Sequence, residues 1–371
     1  MKIIADDKIP YLSGVLEPYA EVIYLPGGKI TASDLADADA LITRTRTRCD
    51  RALLENSSVK LVATATIGVD HINTDELDSM GILWRNAPGC NAVSVKNYIA
   101  SALANLNRDL SGMTLGIIGV GHVGKHIADA GRAFGMTVLL NDPPRAEAEG
   151  NDAFTELDEL LENSDVVTMH VPLERGGKYP TFNMADERFF AKMRPGAFFF
   201  NSCRGEVMNK AAFIAAKRSG KIAGALIDVW PDEPDLDPEL TKLVELGTPH
   251  IAGYSKDGKA NGTSAGVRAV AEVFDIPQLK DFRVDPGLLP PPVYPEKILI
   301  DSALPLWQQI NTAVLHAYDV KRDSDELRNA PDKFEDIRGA YWNRREFSAY
   351  TVCGASDEAN TALALLGFNI G

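Results

Sequence analysis

Between an apolar strand and a stretch with helical periodicity the chain reads Leu115-Gly116-Ile117-Ile118-Gly119-Val120-Gly121-His122-Val123-Gly124, and a lone acid, Asp142, closes the next apolar strand about twenty residues on. Leu115, Ile117 and Ile118 suit a short buried parallel strand. Val123, Ile127, Ala128, Ala130 and Phe134 recur at helical spacing until Gly135, where the helix stops. In that context the glycines have separate tasks. Gly119 permits the tight turn, Gly121 lets backbone approach a pyrophosphate, and Gly124 lets the helix pack closely on the strand. The helix N-terminus offers its unpaired N–H groups to the phosphates. A carboxylate at Asp142 accepts bonds from ribose hydroxyls and repels a ribose phosphate, so the expected cofactor is NAD rather than NADP.

A chain of 371 residues is long enough for about two or three domains. Acids outnumber bases by 52 to 38, for a formal charge of −14, which argues against nucleic acid or an anionic membrane as a partner. An anionic substrate then needs a local cluster of arginines or lysines. Cys49, Cys90, Cys203 and Cys353 are scattered, with no spacing that indicates zinc or a disulfide framework, so reduced thiols and no metal are expected. Acids at Asp6 and Asp7 fall where a signal peptide needs apolar residues, and the expected location is the cytoplasm.

Residues 1–90 alternate short strands (2–5, 22–25, 40–43, 61–65) with helical stretches (50–56, 74–80), the rhythm of a small parallel sheet. A helical pattern over 91–107 leads into the glycine-rich turn. Strands at 165–169, 197–201 and 223–228 and a helix at 210–219 then complete a second sheet. A helix over 265–274 is placed to return the chain to the first domain, and the proline-rich run 285–295 reads as a stiff connector. Beyond it come a helix at 305–318, a charged surface stretch, a strand at 350–353 and a helix at 358–366. The expected fold class is α/β. Two doubly wound parallel-sheet domains, a substrate domain (1–92 with 255–284) and a nucleotide domain (93–254), are followed by a small α+β domain (285–371).

Three segments carry the side chains a hydride-transfer site needs. Residues 197–206 form a buried-type strand ending in Arg204, and carboxyl ends of open α/β sheets face the ligand crevice. A guanidinium there grips a carboxylate bidentately. Residues 225–234 offer a second strand end with Asp228 and Glu233, and Thr248-Pro249-His250-Ile251-Ala252-Gly253 offers an imidazole among small and apolar neighbours. Oxidation of a secondary alcohol requires a base for the hydroxyl proton, for which histidine is suited, and a carboxylate to orient its ring. Taken singly, Arg204 has an open alternative as a surface ion-pair former, Glu233 as a solvated acid and His250 as a core histidine.

The order of glycine fingerprint, Asp142, Arg204-Gly205-Glu206, Asp228 with Glu233-Pro234, and Pro249-His250 with Ala252-Gly253 resembles the D-2-hydroxyacid dehydrogenase family over about residues 40–255. The resemblance implies that Arg204, Glu233 and His250 are catalytic. It implies NAD contacts at His122, Val123, Asp142, Ser202, Cys203, Asp228 and Gly253, and substrate contacts at Thr45, Thr66 and Tyr254. Segments 63–71, 87–92, 141–145, 250–254, 318–323 and 344–347 extend the likeness to one branch of that family over nearly the whole chain. That branch implies a homodimer formed through the C-terminal domain and a four-carbon 2-hydroxy acid with a terminal phosphate. Two positions depart from the pattern: Thr45 replaces a serine, and Glu206 replaces a small residue. Another 2-hydroxy acid, such as 3-phosphoglycerate, and a non-catalytic NAD-sensing scaffold remain as alternative readings.

Both ends of such a substrate need anion sites. The turn Thr66-Ile67-Gly68 supplies backbone N–H groups for the carboxylate opposite Arg204. For the phosphate, the run 43–48 interleaves Arg44, Arg46 and Arg48 with hydroxyls. If the strand continues, alternation puts the three arginines on one side, with Arg44 and Arg46 the preferred pair. Arg344 and Arg345 stand outside the site, as a charged tail pair that reaches a crevice only through a partner subunit.

Overall fold

A computed structural model describes residues 1–371, the side chain of residue 151 excepted. The chain divides into two compact units, 1–91 with 255–290 and 92–254 with 291–371. In the first unit, five parallel strands, β1 (Lys2–Asp6), β2 (Glu21–Leu25), β3 (Ala40–Thr43), β4 (Leu61–Thr64) and β5 (Leu83–Arg85), lie in the order β2-β1-β3-β4-β5. Every residue of β3 and β4 is buried, as expected for strands covered on both faces.

The second unit holds six parallel strands, β6 (Thr114–Ile118), β7 (Thr137–Asn141), β8 (Val166–Met169), β9 (Ala197–Asn201), β10 (Ile222–Ile227) and β11 (Leu246–Gly247), in the order β11-β10-β9-β8-β6-β7. The strand order reverses at β6, so its carboxyl end is a topological switch point, where open α/β sheets place their ligands. A three-stranded parallel sheet, β12 (Lys297–Leu299), β13 (Thr351–Cys353) and β14 (Asn369–Ile370), completes the unit.

The expected strands of both large sheets form to within a residue or two, and the departures have local causes. The helix expected over 265–274 runs from Lys256 to Val273, started by the Ser255 hydroxyl, which accepts from the Gly258 N–H at 2.7 Å. Gly262 is a packing residue, since a Cβ there would stand 2.3 Å from the Ala65 carbonyl oxygen. The charged stretch after 318 is a helix, Val320–Asn329, and its Asp323 is buried. Residues 291–371 do not build a core of their own. Ile310, Val314, Val352 and Leu363 share one with Tyr98 and Leu103 of the helix Ala92–Ala104 and with Ile127 of the helix His122–Ala133. Twelve of the thirteen residues of Ala92–Ala104 are buried, as befits a helix enclosed on all sides.

Candidate active site

The glycine turn leaves β6 and enters the helix His122–Ala133, with Gly121 as its N-cap. Gly119 has φ +87° and a Cβ there would lie 2.6 Å from the His170 carbonyl oxygen, so both backbone angle and space demand glycine. A Cβ on Gly124 would stand 2.1 Å from the Gly119 carbonyl oxygen, whereas one on Gly121 would meet no atom within 4 Å. The turn is therefore closed against its own strand and open where a pyrophosphate is expected. Asp142 at the end of β7 ties the turn down: its Oδ2 accepts from Val120 N–H at 2.8 Å and its Oδ1 caps the next helix through Arg145 N–H at 3.2 Å. Each oxygen keeps acceptor capacity for a ribose hydroxyl. Arg145 is turned away to Glu149 at 2.6 Å and to the Val120 carbonyl at 2.7 Å. Asn141, Asp142, Ala146, Phe154 and Tyr179 line part of a cavity of about 430 Å³ beside this strand end.

At the end of β9, the Asn201 amide accepts from Cys203 N–H at 3.1 Å and donates to the Arg204 carbonyl at 3.0 Å, which shapes the turn carrying the guanidinium. Burial pushes the Cys203 thiol up to about 11, so it is inert. Ser202 Oγ is buried with no hydrogen-bond partner among the described residues, which is costly unless something else binds there. This turn lies against the end of β10: a Cβ on Gly205 would stand 2.1 Å from the Trp230 carbonyl oxygen. Glu206, the departure from the family pattern, faces Arg175 at 3.6 Å.

The segment after β10 brings Glu233 and His250 together, Oε1 to Nδ1, at 2.6 Å. Glu233 Oε2 also accepts from Trp230 N–H at 3.1 Å. Burial raises the Glu233 carboxyl, but the hydrogen bond and charge of His250, the Trp230 N–H and the charge of Arg338 outweigh it and leave the group below its ordinary value. An ionised Glu233 takes the Nδ1 proton as its hydrogen bond, which assigns the free lone pair of His250 to Nε2. His250 has φ +56°, a left-handed backbone costing about 1–3 kcal/mol for a residue with a side chain.

Asp228 holds that backbone in place. Its Oδ1 accepts from Thr248 Oγ1 at 2.7 Å and from Ile251 N–H at 2.7 Å, and its Oδ2 from Ala252 N–H at 2.9 Å. Burial raises the Asp228 carboxyl against these bonds and the charge of His250. Residues invisible to motif reading complete the loop. Tyr98 OH meets Thr248 Oγ1 at 2.5 Å, the Trp230 indole donates to the Thr248 carbonyl at 2.9 Å, and Arg344 donates to the Ala252 carbonyl at 2.6 Å. Gly253 and Tyr254 are half-buried, and the Tyr254 ring packs against Tyr341 at 6.0 Å.

In the first unit the arginine run does not continue β3, which ends at Thr43, so the expected alternation is lost. Arg44 is paired through two nitrogens with the buried Asp6, at 3.2 and 3.3 Å, and Thr47 is buried against the Gly27 carbonyl at 2.9 Å. Thr45, Arg46 and Arg48 are exposed, and Arg48 meets Asp50 at 2.8 Å. Thr66 Oγ1 lies 2.8 Å from Thr64 Oγ1 and donates to the Gly68 carbonyl at 3.0 Å. The N–H groups of Ile67 and Gly68 make no backbone hydrogen bond among the described residues, as an anion-binding turn requires.

The residues fit a dinucleotide. The open face at Gly121, the unpaired N–H groups starting His122–Ala133, the half-buried Val123, the acceptor at Asp142 and the unpartnered Ser202 hydroxyl lie at carboxyl ends of one sheet. Among the described residues no group of three His, Cys, Asp or Glu is arranged to hold a metal, and no helix is long and apolar enough to cross a membrane.

Residues 80–252 match the family model of the D-isomer specific 2-hydroxyacid dehydrogenase NAD-binding domain, and 288–367 match a domain of unknown function. Erythronate-4-phosphate dehydrogenase of Bacteroides fragilis is 48% identical over 357 residues, covering 95% of this chain and 99% of that protein. Among solved structures, D-lactate dehydrogenase of Aquifex aeolicus, complexed with NAD and lactic acid, is 25% identical with a TM-score of 0.61, over 77% of this chain and 100% of that one. NAD⁺-bound 3-phosphoglycerate dehydrogenase of Entamoeba histolytica shares the fold at a TM-score of 0.64 and 22% identity, over 77% and 98% of the two chains. At 48% identity over nearly the full length of both proteins, this chain belongs to the erythronate-4-phosphate dehydrogenase family, and its residues 80–252 match the NAD-binding domain of the D-isomer specific 2-hydroxyacid dehydrogenases.

Proposed function

We propose that this chain oxidises 4-phospho-D-erythronate at C2 to 3-hydroxy-2-oxo-4-phosphobutanoate, with NAD as oxidant, in the formation of pyridoxal 5'-phosphate. The chemistry rests on the 2.6 Å contact between Glu233 and His250. The choice of substrate rests on similarity over nearly the full chain. Bound NAD supplies the acceptor for the C2 hydride. His250 Nε2 takes the proton of the C2 hydroxyl as the carbon–oxygen double bond forms, and Glu233 holds the ring through Nδ1. Arg204 grips the substrate carboxylate and steadies the developing carbonyl oxygen. Product release then leaves His250 to return its proton to solvent.

In the first unit the N–H groups of Ile67 and Gly68, with Thr66, take the carboxylate, and Thr45 is a further substrate contact. Tyr254 is another. Arg46 and Arg44, the latter with its guanidinium paired to Asp6, take the phosphate. The full reading also includes a cytoplasmic homodimer joined through residues 285–371. Leu299, 73% exposed at the sheet of that segment, supports the interface, and a monomer by sedimentation equilibrium overturns it.

NAD reduction measured with 4-phosphoerythronate against 3-phosphoglycerate decides the substrate: faster turnover of 3-phosphoglycerate overturns the reading. Absence of turnover with any 2-hydroxy acid, alongside NAD binding, favours the scaffold alternative. Arg46→Ala should raise KM for the phosphorylated acid at least tenfold more than for an unphosphorylated analogue. Equal increases remove Arg46 from the phosphate site.

A further inference from the structure

Arg344 lies far outside the NAD-binding domain, within the stretch matched by the family of unknown function, and is only 1% exposed. Its Nη2 donates to the Ala252 carbonyl at 2.6 Å and to the Ser94 carbonyl at 3.3 Å, while its guanidinium carbon lies 4.5 Å from the Tyr318 ring centre and 5.9 Å from that of Tyr341. Nη1 has no hydrogen-bond partner among the described residues. The aromatic rings of Tyr341 and Tyr318 and the Asp323 carboxylate offset the burial of this charge, but the unmet donor at Nη1 is a cost that a merely space-filling side chain would not carry. Its value must lie in what it holds.

What it holds is the loop that carries His250. Asp228 fastens the N–H side of that loop at Ile251 and Ala252, and Arg344 fastens the carbonyl side at Ala252, two residues beyond the imidazole. The left-handed backbone at His250 persists only where its surroundings over-determine it. The aromatic shell around Arg344 is itself fixed, since Asp323 accepts from Tyr318 OH at 2.9 Å, from Tyr341 OH at 2.6 Å and from the Trp342 indole at 3.0 Å. Tyr341 also packs on Tyr254. We infer that Arg344 is a positioning residue, through which the C-terminal segment clamps the His250 loop in its catalytic conformation. The segment then contributes to turnover within its own chain, independently of any partner subunit. This inference rests on the assignment of His250 as the base.

The test compares wild type with Arg344→Met, which fills the volume without the charge, and with Arg344→Lys, which retains a single donor centre. Arg344→Met should lower kcat at least tenfold while KM and the NAD Kd stay within twofold, and Arg344→Lys should recover part of the loss. Hydrogen exchange of the Ile251 and Ala252 amides, measured on the NAD-loaded protein without substrate, should quicken at least tenfold, with the amides of the glycine turn unchanged. A kcat within twofold of wild type, or unchanged exchange at both amides, overturns the inference. Should Arg344→Met fail to fold, the same two limits apply to Arg344→Lys. If wild type does not oxidise 4-phosphoerythronate, the substrate reading fails, and the exchange measurement still decides the role of Arg344.

Discussion

The glycine turn and the histidine loop both stand at carboxyl ends of strands in one six-stranded sheet, yet they are built in opposite ways. The turn closes largely on the strand–helix–strand segment that holds it, Gly124 on Gly119 and Val120 on Asp142, with the His170 carbonyl behind Gly119. The loop is held by Asp228 and Glu233 from the segment after β10, by Tyr98 from a central helix, and by Arg344 from the C-terminal segment. A cofactor site can therefore be specified by a short stretch of chain, whereas the base that works beside it depends on contacts gathered from the whole unit. The difference follows from the two tasks. Binding phosphates needs backbone N–H groups, which any correctly bent turn presents, but proton abstraction needs one side-chain atom held at one position.

Variants that separate chemistry from cofactor binding probe this contrast most sharply. His250→Ala should lower kcat about 10³-fold with the NAD Kd within twofold, the scale expected for loss of a general base. A kcat within tenfold of wild type would remove His250 from that role. Next in size is the glycine turn. Gly124→Ala drives a Cβ to 2.1 Å from a carbonyl oxygen, and should cost about 2 kcal/mol of stability by overpacking. Thermal unfolding with and without NAD measures it, and an unchanged Tm would show that the turn relaxes freely.

A smaller effect concerns the carboxylate. Unfolded, Glu233 takes up its proton near the ordinary 4.5, and folded, it stays ionised to lower pH. Its contribution to stability is therefore full above that value and is lost as pH falls through the folded value. Unfolding curves of wild type and Glu233→Gln should converge on acidification below about pH 4.5, and parallel curves would show that the carboxylate is not linked to folding. The smallest change in stability is expected from Gly121→Ala. Its Cβ meets no atom within 4 Å, so Tm should hold while the NAD Kd rises.

Legibility in the sequence followed the range of the interactions. Strand positions and the glycine turn were plain, because period and spacing are local properties. The helix Lys256–Val273 starts nine residues before the expected 265, and within that added part Gly262 serves a close approach to Ala65 that no local pattern encodes. Charge misled at two places, for Asp323 and Arg344 read as surface residues and are both buried in one network. The arginine run differs in another way: its alternation places the three side chains together only if β3 continues, and β3 ends at Thr43, after which Arg44 pairs with Asp6.

The amino-acid order alone determined that this protein has parallel α/β sheets, a dinucleotide turn, a carboxylate suited to ribose, and a guanidinium, an acid and an imidazole near strand ends. Only the tertiary structure decided that Glu233 meets His250, that Asp228 is spent on the loop backbone, that Arg44 is taken by Asp6, and that the C-terminal segment shares a core with the nucleotide-binding sheet. The reason is that backbone geometry is set by neighbouring residues, whereas the pairing of a buried charge is set by whichever partner the completed core leaves within reach.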